Sequence, residues 1–194
     1  MTAPVSLPPG LQPNEFVCQM LAADGILTLE QCDAVLTRVR GHAASTAAVI
    51  GQGEGGTDLR SSAVRWLPRD EDTEWLHARI QGLAQQLNER FWRFDLTDME
   101  PFQVAHYAPG DDYGWHTDLG PGQASLRKLT VVVQLSDPAD YDGGGLEFPD
   151  VVGPITRQRG SAVVFPAYLR HRVLPVTRGE RWSVAGWFVG PPFR

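Results

Sequence analysis

From residue 96 onward the chain breaks into short β-type runs separated by turn residues, and this rhythm restricts the fold more than any other feature. The runs lie near 102–107, 113–118, 127–136, 145–148, 161–166, 171–176 and 181–189. Between them stand Pro109-Gly110, Gly120-Pro121-Gly122, Asp142-Gly143-Gly144-Gly145, Pro149, Gly160 and Arg178-Gly179. Evenly spaced short strands of this kind close into two facing sheets, a β-sandwich or jelly roll. Gly143-Gly144-Gly145 suits a tight connection with positive φ. It does not suit a phosphate loop, because no helix N-terminus follows it. Tyr113 and Phe165 are expected in the core between the sheets.

The first half reads as support for that core. Residues 1–13 read as a proline-rich N-terminal arm. Thr28-Leu29-Glu30-Gln31 is a capping box that opens a helix to about Arg40, with Leu29, Cys32, Val35, Leu36 and Val39 on one face. Residues 51–57, GQGEGGT, read as a surface loop. Residues 61–67 read as a strand ended by Pro68. A second helix is expected from about Asp72 to Trp92, with Trp75, Leu76, Ile80, Leu83, Leu87 and Phe91 at helical spacing. Glu71, Asp72 and Glu74 suit the positive end of its dipole. His77 on this helix reads as packed or solvent-facing. The expected organisation is one domain over 1–194: the arm, helical support over 14–95, and a jelly-roll core over 96–194. The fold class is mainly β with supporting helices (α+β).

With 194 residues, the chain is long enough for one well-filled core. A formal charge of −6 argues against nucleic acid as the main ligand. Lys128 is the only lysine. Cys18 and Cys32 form neither a disulfide framework nor a C-x-x-C pair. The first residues lack a basic n-region and an apolar h-region, and no apolar run approaches the roughly 18 residues of a membrane span. These features lead us to expect a soluble, cytoplasmic protein with no nucleic-acid or membrane partner. Nothing in the chain indicates its oligomeric state.

Chemistry concentrates in residues 106–118. If 113–118 is a strand, His116 and Asp118 project from one face and converge on one point. Any chain with five histidines can show an H-x-D pattern, so the motif alone is weak. His171 can supply a third ligand if the fold brings it close. Two imidazoles and one carboxylate form the facial triad of non-haem Fe(II) oxygenases, although zinc hydrolases use related sets. In the last run Arg181 and Ser183 share a face within an apolar interior. A buried guanidinium needs a carboxylate partner, from a ligand or from one of the 23 acidic residues.

Taken together, these motifs resemble the 2-oxoglutarate and Fe(II)-dependent dioxygenases, and within them the prolyl 4-hydroxylase-type branch with the PKHD-type hydroxylases. The matching stretches are Tyr107-x-x-Gly110-x-x-Tyr113-x-x-His116-x-Asp118, the run from Arg127 to Ser136, Tyr141 to Phe148, Gly160 to Phe165, His171-x-Val173, Gly179 and Arg181-x-Ser183. The resemblance implies iron held by His116, Asp118 and His171, and a 2-oxoglutarate carboxylate paired with Arg181 and aided by Ser183. Tyr107 and Thr130 match positions whose hydroxyls line that cosubstrate pocket. Gln134 stands where several relatives have tyrosine. O2 is the implied second cosubstrate and ascorbate a candidate reductant. Gln103, His106 and Trp115 lie close enough in sequence to line a substrate mouth, though the last two read better as strand packing.

The implied reaction couples decarboxylation of 2-oxoglutarate to succinate and CO2 with hydroxylation of an unactivated C–H bond in an amino-acid-containing substrate. Asp118 fills the position that a halogenase would leave for chloride, which favours hydroxylation; desaturation and ring formation stay open. A zinc hydrolase, or a non-catalytic jelly-roll binding or sensor protein, are the rival readings. Residues 43–66 and 119–126 are the expected lid loops, and their glycine-rich parts at 51–56 and 120–122 suit folding over an extended ligand.

Overall fold

A computed structural model describes residues 14–41, 45–46, 59–151 and 153–193. The expected arm at 1–13 and the loop at 51–57 lie outside these residues. The elements in order are β1 (Leu21–Ala23), α1 (Leu29–Arg40), β2 (Ser45–Thr46), β3 (Ala63–Leu67), α2 (Glu74–Leu87), β4 (Asp98–Met99), β5 (Phe102–Tyr107) and β6 (Tyr113–His116). They continue with β7 (Arg127–Gln134), β8 (Asp142–Gly143), β9 (Leu146–Glu147), β10 (Ala162–Pro166), β11 (His171–Val173), β12 (Val176–Arg178) and β13 (Arg181–Val189). No helix among the described residues is long and apolar enough to cross a membrane.

The main sheet runs β1-β10-β7-β13-β5-β3-β2, with β4 also paired to β13. Facing it is a three-stranded sheet, β6-β11-β9. Alternation within each main-sheet strand sorts side chains to two faces. Leu129, Val131, Val133, Val184, Phe188, Phe102 and Val104 join one apolar cluster with α1 and α2. Val132, Val163, Phe165, Ala105 and Tyr107 join the other, with Leu146 and Val173 of the smaller sheet. Every residue of β7 is buried, because helices cover one of its faces and the second sheet the other. Gly186 is required where β13 crosses Phe102, since a Cβ there would sit 2.6 Å from the ring.

Helix α1 has the expected capping box: Gln31 N–H donates to Thr28 Oγ1 at 3.2 Å, and Thr28 N–H donates to Gln31 Oε1 at 3.0 Å. Cys32, Val35, Leu36 and Val39 are buried, but Leu29 is 55% exposed. At 3.6 residues per turn Leu29 falls roughly 70° from the centre of that stripe, so its side chain clears the core. Helix α2 is shorter than the expected 72–92. Residues Asn88–Trp92 instead form a π-helical turn that ends at Arg93 with φ 59°. Asn88 explains the change, since its amide bonds Phe94 N–H and O, both at 2.8 Å, and draws the chain back across the helix end. His77 is packed, stacked on Phe102 at 4.2 Å.

Several expected boundaries shift. The 113–118 run stops at His116, 127–136 stops at Gln134, and 145–148 shrinks to two residues. The 161–166 run begins at Ala162, and 171–176 divides into β11 and β12. The support segment contributes strands as well as helices, since β1 extends the main sheet at one edge and β3 near the other. Residues 122–126 of the expected 119–126 lid form a short 3-10 turn.

Candidate active site

The smaller sheet and the turn that follows β6 bring the ligand candidates together. His116 and His171 are directly paired across β6 and β11, with ring centroids 4.1 Å apart. Asp118 lies just past β6 rather than on it, so the shared-face argument does not place it. Its position comes instead from backbone bonds, with Asp118 N–H and Leu119 N–H both donating to Ala167 O at 2.9 Å. One carboxylate oxygen lies 3.8 Å from His116 Nε2 and the other 3.6 Å from His171 Nε2. Ligand atoms of all three residues lie within 4.8 Å of one another.

The histidine tautomers follow from their other contacts. His116 Nδ1 meets Gly114 O at 2.8 Å and His171 Nδ1 meets Leu169 O at 2.9 Å. A carbonyl only accepts, so each Nδ1 carries the proton and each Nε2 turns a lone pair toward Asp118. Burial, with His171 beside it, pushes the His116 pKa down to about 4 against the pull of Asp118. For Asp118, burial pushes upward, but His171, His116 and the Thr130 hydroxyl together hold the carboxyl below its usual range. Two neutral imidazoles and a carboxylate on one side of a point, with Nδ1 held in each ring, suit a divalent cation that keeps open positions.

Arg181 lines the same pocket as the triad. It is 1% exposed. Its Nη2 donates to Gln134 Oε1 at 3.0 Å, while Nη1 is buried with no partner among the described residues. The internal salt bridge that sequence alone left open is absent among those residues. A buried guanidinium with an unmet donor calls for an anionic ligand, here in the pocket that the triad lines. Tyr107 lies under the guanidinium at 5.3 Å, and Ser183 is paired directly with Gln134 across β13 and β7. Gln134 thus touches Arg181 itself. Thr130 faces the pocket, but its hydroxyl donates to Asp118 Oδ2 at 2.6 Å, so it orients the carboxylate.

Gly144 makes room for Arg181. Its φ is 60°, and a Cβ there would stand 3.0 Å from Arg181 Cδ and 2.9 Å from Val176 Cγ2. Of the residues proposed for the substrate mouth, Gln103 lines the pocket. His106 instead stacks on Trp182 at 4.0 Å. Trp115 faces away beneath Arg172 and Arg170, at 4.7 and 5.4 Å.

Sequence reasoning missed Arg60. It is 7% exposed and lies 4.7 Å over the Tyr113 ring. Its Nε donates to Ser62 Oγ at 2.6 Å and its Nη1 to Gln103 Oε1 at 2.9 Å. Tyr113 in turn stacks on His116 at 3.5 Å, so this arginine braces the wall behind a ligand. The available signal was Arg60-x-Ser62, the same alternation as Arg181-x-Ser183, just ahead of β3. Arg127 and Trp187 were also missed. The guanidinium of Arg127 grips Glu100 at 2.7 and 2.6 Å and lies 4.0 Å over the Trp187 ring.

This geometry agrees with comparison to known proteins. The sequence profile described as 2OG-Fe(II) oxygenase superfamily matches residues 102–189. A PKHD-type hydroxylase of Nitrosomonas europaea is 31% identical over 173 residues, covering 84% of this chain and 74% of that protein. One from Azoarcus sp. is 32% identical over 174 residues, with the same coverage of 84% and 74%. One from Hyphomonas neptunium is 44% identical over 84 residues, an alignment that spans only 38% of that relative and 40% of this chain. A prolyl-4-hydroxylase structure from Pseudomonas putida superposes with a TM-score of 0.72 at 23% identity, over 90% of this chain and 94% of that one. A Trichoplax adhaerens prolyl hydroxylase, solved with a hypoxia inducible factor peptide fragment, gives 0.72 at 19% identity over 88% and 83%. These likenesses identify the fold as a double-stranded β-helix. The chain belongs to the 2OG-Fe(II) oxygenase superfamily, within its PKHD-type hydroxylase branch. The cofactor of that family is Fe(II), and its cosubstrates are 2-oxoglutarate and O2.

Proposed function

We propose that the whole chain, acting as one catalytic domain, hydroxylates an unactivated C–H bond in an amino-acid-containing substrate, either a peptidyl residue or a peptide-like metabolite. 2-Oxoglutarate and O2 are consumed, and succinate and CO2 are released. His116, Asp118 and His171 hold the iron, which supplies the oxygen-activating redox chemistry when bound. Thr130 fixes the Asp118 carboxylate, and the Gly114 and Leu169 carbonyls fix the imidazoles. Arg181, with Ser183, Tyr107 and Gln134 around it, binds the far carboxylate of 2-oxoglutarate and so sets the orientation of its keto acid end. The two unpaired cysteines suit a cytoplasmic location.

The observation that carries this reading is Arg181, a buried guanidinium with an unmet donor in the pocket that holds the triad. A hydrolytic zinc site would have no use for it. The peptide class draws support from the Trichoplax relative, whose solved complex contains a peptide. The test is succinate release by purified protein given Fe(II), 2-oxoglutarate and O2, followed by mass spectrometry of candidate peptides and small molecules for one added oxygen atom. Turnover stimulated only by a lipid, sugar or nucleobase would overturn the substrate class. No 2-oxoglutarate consumption under any metal would overturn the activity.

A further inference from the structure

The turn that joins β10 to β11 carries the backbone groups that position two of the three metal ligands. Leu169 N–H donates to Pro166 O at 2.9 Å and closes the turn over Ala167 and Tyr168. Ala167 O accepts from Asp118 N–H and Leu119 N–H, both at 2.9 Å, and Leu169 O meets His171 Nδ1 at 2.9 Å. Ala167 N–H is itself fixed to Lys128 O on β7 at 2.9 Å. Tyr168 stands between these two carbonyls, yet its side chain joins neither the pocket nor either apolar cluster of the core.

Three distant parts of the chain converge on that ring instead. Its hydroxyl donates to Val17 O. Phe94 meets it edge-on at 6.3 Å and Phe193 at 6.0 Å, and those two rings meet each other at 6.1 Å. Each partner is anchored in turn. The Asn88 amide bonds Phe94 N–H and O, Asn14 Nδ2 donates to Trp92 O at 3.1 Å, and Lys128 Nζ lies 3.8 Å over the Phe193 ring. A metal site binds tightly when its ligands need no ordering on binding, and the groups beyond the ligands supply that order. A side chain clamped from three sides, in the middle of a four-residue turn, fixes both flanking carbonyls at once.

We propose that Tyr168 is a positioning residue of the metal centre: its clamp on the 166–169 turn holds Asp118 and His171 in place for the metal. The role rests on the metal reading of the triad and adds a side chain that touches neither ligand nor pocket. The test is the Zn(II) affinity of the full chain, by competition with a chromophoric chelator, with the Co(II) absorption spectrum and the melting temperature read on the same variants. Tyr168→Ala should bind Zn(II) about tenfold more weakly than wild type, the lower end for groups that orient metal ligands, and should shift the Co(II) bands. Tyr168→Phe keeps the ring contacts and should stay within about twofold of wild type. Val39→Ala, on the buried face of α1, should lower the melting temperature and leave affinity and spectrum unchanged. Should Tyr168→Ala fail to fold, Phe193→Ala removes one half-exposed wall of the clamp and should weaken Zn(II) about two- to threefold. A folded Tyr168→Ala variant with the affinity and spectrum of wild type, or equal losses in Val39→Ala, overturns the positioning role. Unchanged affinity of Phe193→Ala overturns it where Tyr168→Ala does not fold. A wild type that binds neither ion overturns the metal reading, and this role with it, so the two failures have different signatures.

Discussion

Replacing Arg181 by methionine separates what the fold needs from what the cosubstrate needs. In the ligand-free protein this guanidinium is 1% exposed, holds one hydrogen bond, to Gln134, and leaves Nη1 unmet. An unmet buried donor costs about 1–3 kcal/mol, and the bond lost to Gln134 takes back about 1 kcal/mol. Arg181→Met alone should therefore leave ligand-free stability between unchanged and about 2 kcal/mol higher. Adding Gln134→Leu removes the widowed acceptor and should bring the gain to about 1–3 kcal/mol. At about 2–4 °C per kcal/mol for a chain of this size, the melting temperature rises by several degrees. Binding goes the other way. The 2-oxoglutarate carboxylate would lose its counter-charge, a loss of about 3–5 kcal/mol, or about two to four powers of ten in Kd. Thermal denaturation of Zn(II)-loaded protein with and without 2-oxoglutarate reads both effects. Wild type should gain about 2.7 kcal/mol at about one hundred times its Kd, and both variants nothing. A variant several kcal/mol less stable than wild type without ligand, yet still stabilised by 2-oxoglutarate, would refute the role given to Arg181.

Thr130→Val removes the donor to Asp118 while keeping its shape, and should weaken metal binding about 10–100-fold, measured by competition with a chromophoric chelator. Gly144→Ala forces a side chain into φ 60° against Arg181 and Val176. It should cost about 1–2 kcal/mol of stability by denaturant titration and raise the Kd for 2-oxoglutarate as well. The His116 imidazole titrates near 4 in the folded, metal-free protein and near 6.5 when unfolded. Between these values the unfolded state binds the extra proton, so metal-free stability should fall as pH drops from about 6.5 toward 4. A His116→Gln variant should show a flatter profile across that window in denaturant melts, and an unchanged slope would contradict the burial effect.

Much of this was legible in the residues, for physical reasons that differ by element. The capping box at Thr28 and Gln31 is a local signal and fixed the start of α1 to the residue. The alternation of β13 was readable, and it put Arg181 and Ser183 on one face; Thr130 and Gln134 came from the family resemblance, because β7 is buried along its whole length and shows no period of its own. Two- and three-residue strands such as β1, β4 and β8 are too short to show a period, and their pairing is decided by neighbours far along the chain. Asp118 reached the site by a route the strand argument did not foresee, through backbone bonds to Ala167. Leu29 followed the helical period only approximately and fell off the edge of its stripe. Arg60 left only the weak Arg60-x-Ser62 signal, and its place beside Tyr113 and Gln103 is set by residues far along the chain.

Isotope labelling tests the assignment of the site most directly. Purified protein given Fe(II), 2-oxoglutarate and isotopically heavy O2 should release succinate carrying one heavy oxygen atom, and His116→Ala, Asp118→Ala and Arg181→Ala should each abolish that signal. Chelation should remove it, and Zn(II) should occupy the site without restoring it. Unlabelled succinate, or turnover supported by Zn(II) in the absence of O2, would contradict the account.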